Sequence, residues 1–105
     1  MSQDKKQDVE RLQLLEQSLQ NSTSQRVAFQ ENKAELENAV AELKNSDESY
    51  KIVGNLIIKA NKEKQLDELN KQLQVIGSRI SALKNNEDLL KDKIDNLRKE
   101  VLSRK

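Results

Sequence analysis

The sequence predicts a mostly α protein: a long antiparallel coiled-coil hairpin with one central β-hairpin at its bend. Three observations carry this prediction. Two apolar heptad seams of similar length lie in the two halves of the chain, proline is absent, and a short β-branched insert with a glycine turn separates the seams.

The first seam starts at Leu12. Stepping alternately by three and four residues gives Leu12, Leu15, Leu19, Ser22, Arg26, Phe29, Lys33, Leu36, Val40 and Leu43, of which seven in ten are apolar. Asp4, three residues ahead of Gln7, marks a helix start, and the pattern predicts a helix over about 4–46. The second seam runs Leu66, Leu69, Leu73, Ile76, Ile80, Leu83, Glu87, Leu90, Ile94, Leu97 and Val101, with ten of eleven positions apolar. Asn61 ahead of Lys62 supplies its start, and a helix is expected over about 62–104. Each helix is about 60 Å long at 1.5 Å per residue. A seam this narrow buries one stripe against a single partner helix and leaves the Glu, Lys, Gln, Asn and Asp positions wet. The short connection reverses the chain, so the two helices pair antiparallel within a single domain spanning 1–105.

Placing Leu43 opposite Leu66 sets Leu36 against Leu73, Phe29 against Ile80 and Leu12 against Leu97, so the chain ends meet at one tip. In this register Lys33 faces Ile76 and Gly77. The glycine either makes room for the lysine stem or is simply a weak helix residue. Ser22, Arg26 and Glu87 fall in one layer, either as a buried polar set that fixes register or as side chains reaching solvent at a loose point.

The insert, expected over about 50–59, reads Tyr50-Lys51-Ile52-Val53, Gly54-Asn55, Leu56-Ile57-Ile58-Lys59. Gly-Asn between two β-branched runs signals a two-residue turn, because glycine supplies the positive φ needed at the first turn position. Val53 then pairs with Leu56 and Ile52 with Ile57. Tyr50, Ile52 and Ile57 lie on one side, and Val53, Leu56 and Ile58 on the other. Two helices leaving from one end cover little of a hairpin that is apolar on both faces and open at both edges. Such a hairpin assembles or aggregates. These six residues are therefore the candidate assembly surface, with Gly54 and Asn55 as its turn.

Composition narrows the function classes. Lys plus Arg is 19, Asp plus Glu is 18 and the net charge is +1, which gives no general attraction to nucleic acid or acidic lipid. The basic residues Arg98, Lys99, Arg104 and Lys105 alternate with Asp95 and Glu100 and lack stacking aromatics, so a solvated surface explains them. Periodic apolar residues and near-zero net charge argue against disorder. The chain has neither cysteine nor histidine, which removes thiol nucleophiles, Ser-His pairs and imidazole or thiolate metal ligation. The two glycines, Gly54 and Gly77, cannot build a phosphate-binding loop. No catalytic residue, metal or cofactor is expected. The N-terminal stretch MSQDKKQDVE is polar and no segment approaches the ~20 apolar residues that span a bilayer, so a soluble cytoplasmic protein is expected.

Helix, then YKIVGNLIIKANKEKQLDEL, then helix resembles the β-class prefoldin subunit, particularly its archaeal form. The resemblance covers nearly the whole chain. Its most specific part is Tyr50 through Lys59 with the Gly54 turn, followed by the basic-acidic helix start at Lys62 to Glu68. One hairpin between the helices, not two, matches the β class rather than the α class. The resemblance implies a hexamer of two α-type and four β-type subunits whose hairpins join in an oligomeric double β-barrel, with Ile52, Val53, Leu56, Ile57 and Ile58 in or against it. It further implies ATP-independent holding of unfolded proteins at the coiled-coil tips and their delivery to a group II chaperonin.

Near the predicted tip the apolar residues are Val9, Leu12, Leu14, Leu15, Leu97, Val101 and Leu102, the candidate client contacts. Val9, Leu14 and Leu102 fall outside the seam and are the ones free to meet a client, although scattered surface leucines are also ordinary. The alternative function is a coiled-coil scaffold that oligomerises or tethers partners without chaperone activity. The two-faced apolar hairpin, which a simple scaffold does not require, separates the two readings.

Overall fold

The structure is a computed structural model and describes residues 3–103. The chain runs α1 (Gln3–Lys44), β1 (Ser49–Val53), β2 (Leu56–Ala60) and α2 (Lys62–Ser103). Arg104 and Lys105, and with them the expected end of the second helix, lie outside the described residues. The chain divides into two units: a hairpin unit, Phe29–Arg79, and a terminal unit made of the segments up to Ala28 and from Ile80 onward.

In the hairpin unit α1 ends at Lys44, earlier than the heptad count suggests. Asn45 and Ser46 tighten the last turn by donating their amides to the carbonyls of Glu42 and Leu43, each at 3.2 Å. Ser46 Oγ also donates to the Glu42 carbonyl at 3.0 Å. Such short-range bonds satisfy the carbonyls that a helix end leaves without partners. At the start of α2, Asn61 Oδ1 accepts the Lys64 amide at 3.1 Å and the Asn61 carbonyl accepts the Gln65 amide at 3.0 Å, a side-chain cap of the kind the sequence suggested. Asp4, in contrast, lies within the first turn of α1, which is already helical at Gln3, so it favours the helix through its charge rather than as the cap.

The core of this unit is the expected stripe. Val40 and Ile76 are buried, with Leu36, Leu43, Leu66, Leu69 and Leu73 half-buried. Lys33 occupies its seam position but is exposed, its ammonium 3.8 Å from Glu37 one turn on. The idea that Gly77 makes room for the Lys33 stem does not hold, because a Cβ at Gly77 would have nothing within 4 Å. The lysine leaves the seam for water, where its charge is solvated, and needs no recess. The Arg79 guanidinium sits over the Phe29 ring, 5.7 Å from its centroid, and covers the one phenylalanine of the chain.

In the terminal unit Ile80, Ile94 and Leu97 are buried, and Leu12, Leu15, Leu19, Leu83, Leu90 and Val101 are half-buried. Bonds between the two helices fix their antiparallel register: Arg98 Nη2 donates to Glu16 Oε1 at 2.6 Å, and Asn86 Nδ2 to Ser22 Oγ at 3.4 Å. The Ser22, Arg26 and Glu87 layer takes the buried alternative. Ser22 and Glu87 are among the least accessible residues of the unit. Arg26 Nε donates to Glu87 Oε2 at 2.6 Å, and Thr23 Oγ1 to Glu87 Oε1 at 2.5 Å.

Candidate functional site

Ser49, the buried first residue of β1, donates its hydroxyl to the Ala60 carbonyl at 3.0 Å and closes the base of the β-hairpin. From there the strands pair antiparallel as Ser49 with Ala60, Tyr50 with Lys59, Lys51 with Ile58, Ile52 with Ile57 and Val53 with Leu56. This is the register the turn residues imply, one pair longer at the base than the 50–59 insert. Gly54 has φ 60°, and among the described residues no non-glycine has positive φ, so Asn55 stays in ordinary backbone space. Positive φ at the first turn position alone is the type II′ pattern, whose twist matches that of the flanking strands.

The register puts Tyr50, Ile52, Ile57 and Lys59 on one face and Lys51, Val53, Leu56 and Ile58 on the other. All six apolar candidates are exposed, from 47% for Ile58 to 75% for Ile52. The sheet has two strands among the described residues, so the outer edge of each carries unpaired backbone groups. A cluster of six exposed large apolar side chains on ten strand residues is far from a scatter of single surface leucines.

Polar side chains hold this apolar hairpin in place, and of these the sequence reading singled out only Tyr50, as an assembly residue. Tyr50 Oη donates to Glu48 Oε2 at 2.5 Å, and this bond pushes the phenol above its ordinary value. Lys59, the cross-strand partner of Tyr50, lies 3.8 Å from the other oxygen of Glu48. Lys62 Nζ donates to the carbonyls of Lys44 at 3.0 Å and Ser46 at 2.7 Å. Gln65 Nε2 donates to the Tyr50 carbonyl at 3.2 Å. Lys62 follows the cap residue Asn61 directly, and the reversal of the chain brings its stem within reach of the carbonyl end of α1.

In the terminal unit the candidate contacts separate by position. Leu14 and Leu102 are exposed, at 64% and 81%. Leu97 is buried, and Leu12, Leu15 and Val101 are half-buried in the seam. Val9 is half-buried rather than free. One step of four back from Leu12 is Asp8, which takes the seam position and is buried, and Val9 lies beside it. The heptad frame read from Leu12 starts one step too late to include Asp8.

Among the described residues no cluster of acidic side chains could hold a metal ion, and no helix is long and apolar enough to cross a membrane. Glu87, the one carboxyl among the described residues whose titration is clearly displaced, is tied into the polar layer of the seam.

The family model described as prefoldin subunit matches residues 6–104. The chain belongs to the prefoldin subunit family. It is similar to the prefoldin subunit beta of Pyrococcus furiosus, with 33% identity over 93 residues, covering 86% of this chain and 80% of that one. It is equally similar to the prefoldin subunit beta of Archaeoglobus fulgidus, with 33% identity over 88 residues, 81% of this chain and 76% of the relative. The crystal structure of the prefoldin beta subunit from Thermococcus strain KS-1 superposes with a TM-score of 0.90 at 27% identity, covering 97% of this chain and 92% of that one. Two long helices joined by one two-stranded hairpin are thus the build of a prefoldin beta subunit. These relatives are named as prefoldin subunits and not as enzymes.

Proposed function

We propose that this chain is the β-type subunit of an α2β4 prefoldin hexamer, a cytoplasmic ATP-independent holding chaperone that captures unfolded or nascent proteins and delivers them to a group II chaperonin. The observation that carries the reading is the hairpin with six exposed apolar side chains on both faces and two open edges. Pairing those edges and covering those faces with hairpins of α-type and further β-type subunits removes apolar surface from water at about 25 cal/mol per Å². It also satisfies the free backbone groups at each edge.

Client capture is assigned to the terminal unit, with Leu14 and Leu102 as exposed contacts and Val9, Leu12, Leu15, Leu97 and Val101 as the apolar surroundings that open if the helix ends fray. Single contacts of this size are weak. Several terminal units acting on one flexible client raise the effective concentration, so capture and release coexist. Holding of this kind needs no nucleotide, nucleic acid or membrane.

The test is native mass spectrometry of the chain alone and mixed with an α-type prefoldin subunit. A complex with four copies of this chain and two of the partner supports the proposal. A dimer indifferent to the partner overturns it and favours a coiled-coil tether.

A further inference from the structure

The hairpin is joined to α1 by four residues, 45–48, outside regular helix and strand, and to α2 by Asn61 alone. Links of this kind let a hairpin swing unless something ties it to the helices. In the hairpin unit the tie is concentrated on one residue. The Lys62 ammonium donates both to Lys44, the last residue of α1, and to Ser46 in the link. These carbonyls lie at the negative end of α1, so a cation there meets the helix dipole and supplies the partners that the helix end lacks. One residue thereby ties the start of α2, the end of α1 and the link that leads into β1. Gln65, one turn further on, holds the Tyr50 carbonyl and extends the tie to the strand itself.

We infer that Lys62, seconded by Gln65, is the positioning residue for subunit assembly: it presets the direction in which the apolar hairpin leaves the helices. This rests on the assembly proposed above. A strand edge pairs with a neighbouring subunit only when its direction is right. A hairpin already held at that angle loses less conformational freedom on assembly than one that swings. Lys62 is half-buried while Lys44 and Ser46 are exposed, so water replaces the ammonium at their carbonyls and its loss acts on hairpin direction and not on the helical seam.

The experiment compares the wild type with Lys62→Met, Lys62→Arg and Gln65→Ala, each titrated with an α-type prefoldin subunit, alongside hydrogen exchange on the free chains. Water replaces part of what this solvent-accessible ammonium supplies, so Lys62→Met is expected to weaken assembly roughly two- to tenfold. Exchange in residues 45–60 should quicken, while helical content and the exchange of the remaining α1 and α2 amides stay at the wild-type values. Lys62→Arg, which keeps a cation within reach of both carbonyls, should restore most of the affinity, and Gln65→Ala should fall between. Wild-type affinity in Lys62→Met overturns the inference, as does a loss that Lys62→Arg fails to recover or that comes with faster exchange throughout α1 and α2. If the wild type itself does not assemble with the partner, the assembly proposal fails and this inference with it. Assembly of wild type and Lys62→Met alike removes only the inference.

Discussion

Arg26 and Glu87, on opposite helices of the terminal unit, are joined at 2.6 Å inside the seam. Thr23 binds the second oxygen of the same carboxylate, so Glu87 is held from both sides. Such a pair is costly to break from one side and adds little stability over an apolar pair, so its main contribution is to specify which residues face each other. Arg26→Ala should lower the stability of the chain by about 1–3 kcal/mol, because it leaves a buried carboxylate with one fewer donor. Replacing both residues by leucine should restore stability but relax the register. Thermal melts of the single and double variants, with disulfide trapping between the helices, would show it.

The same carboxyl makes stability depend on pH. The Thr23 hydroxyl, then the Arg26 guanidinium, hold Glu87 below its ordinary value of 4.5, against an opposing effect of burial. A carboxylate with a depressed folded-state pKa contributes stability that is fully present above the unfolded value and is lost as pH falls through the folded one. Melting temperature should therefore be flat for this group from neutrality down to about its ordinary value and drop below it. Glu87→Gln should flatten that acid limb, and an unchanged limb would assign the pH dependence to other carboxylates.

Gly77 stands in the interior of α2 with open space where a Cβ would go. Gly77→Ala should stabilise the chain by about 0.5–1 kcal/mol, the ordinary helix difference between the two residues. A drop in melting temperature would mean that this face is closely covered by another subunit.

Gly54 is the opposite case, since it has open space but φ 60°. Gly54→Ala should destabilise the hairpin by about 1 kcal/mol through backbone strain alone. Amides of β1 and β2 should exchange faster, and those of α1 and α2 should not.

Replacing Val9, Leu14 and Leu102 together by serine should leave assembly with an α-type subunit intact and weaken suppression of client aggregation several-fold. Leu14 and Leu102 should account for most of the effect because they are the exposed members of the set. Light scattering of a heat-denatured client measures the suppression, and wild-type suppression by the triple variant would move client contact away from these residues.

Much of this architecture was legible in the sequence because it rests on periodicity. The steps of three and four from Leu12 and Leu66 picked out the residues that pack, and Gly54-Asn55 set the pairing of Ile52 with Ile57 before any coordinates. What escaped was polar. Asp8, Thr23 and Lys62 belong to residue types that usually face water, and nothing local distinguishes the few that turn inward or reach a backbone carbonyl. Their roles depend on what the reversed chain brings opposite them, as Glu87 does for Thr23 and the end of α1 for Lys62. Gly77 misled for a related reason. A helix glycine invites the thought of a close neighbour, while Lys33 had the cheaper option of pointing into solvent.

The two links to the hairpin differ in their tolerance of length. Asn61 both follows the last strand residue and caps α2, leaving no slack between sheet and helix. One residue added there would rotate every following side chain by about 100° about the helix axis, turning the stripe that begins at Leu66 away from α1. The four residues 45–48 can take up an extra one as a wider loop. Natural insertions and deletions in chains of this build should therefore gather on the α1 side of the hairpin, with the junction at Asn61 constant in length.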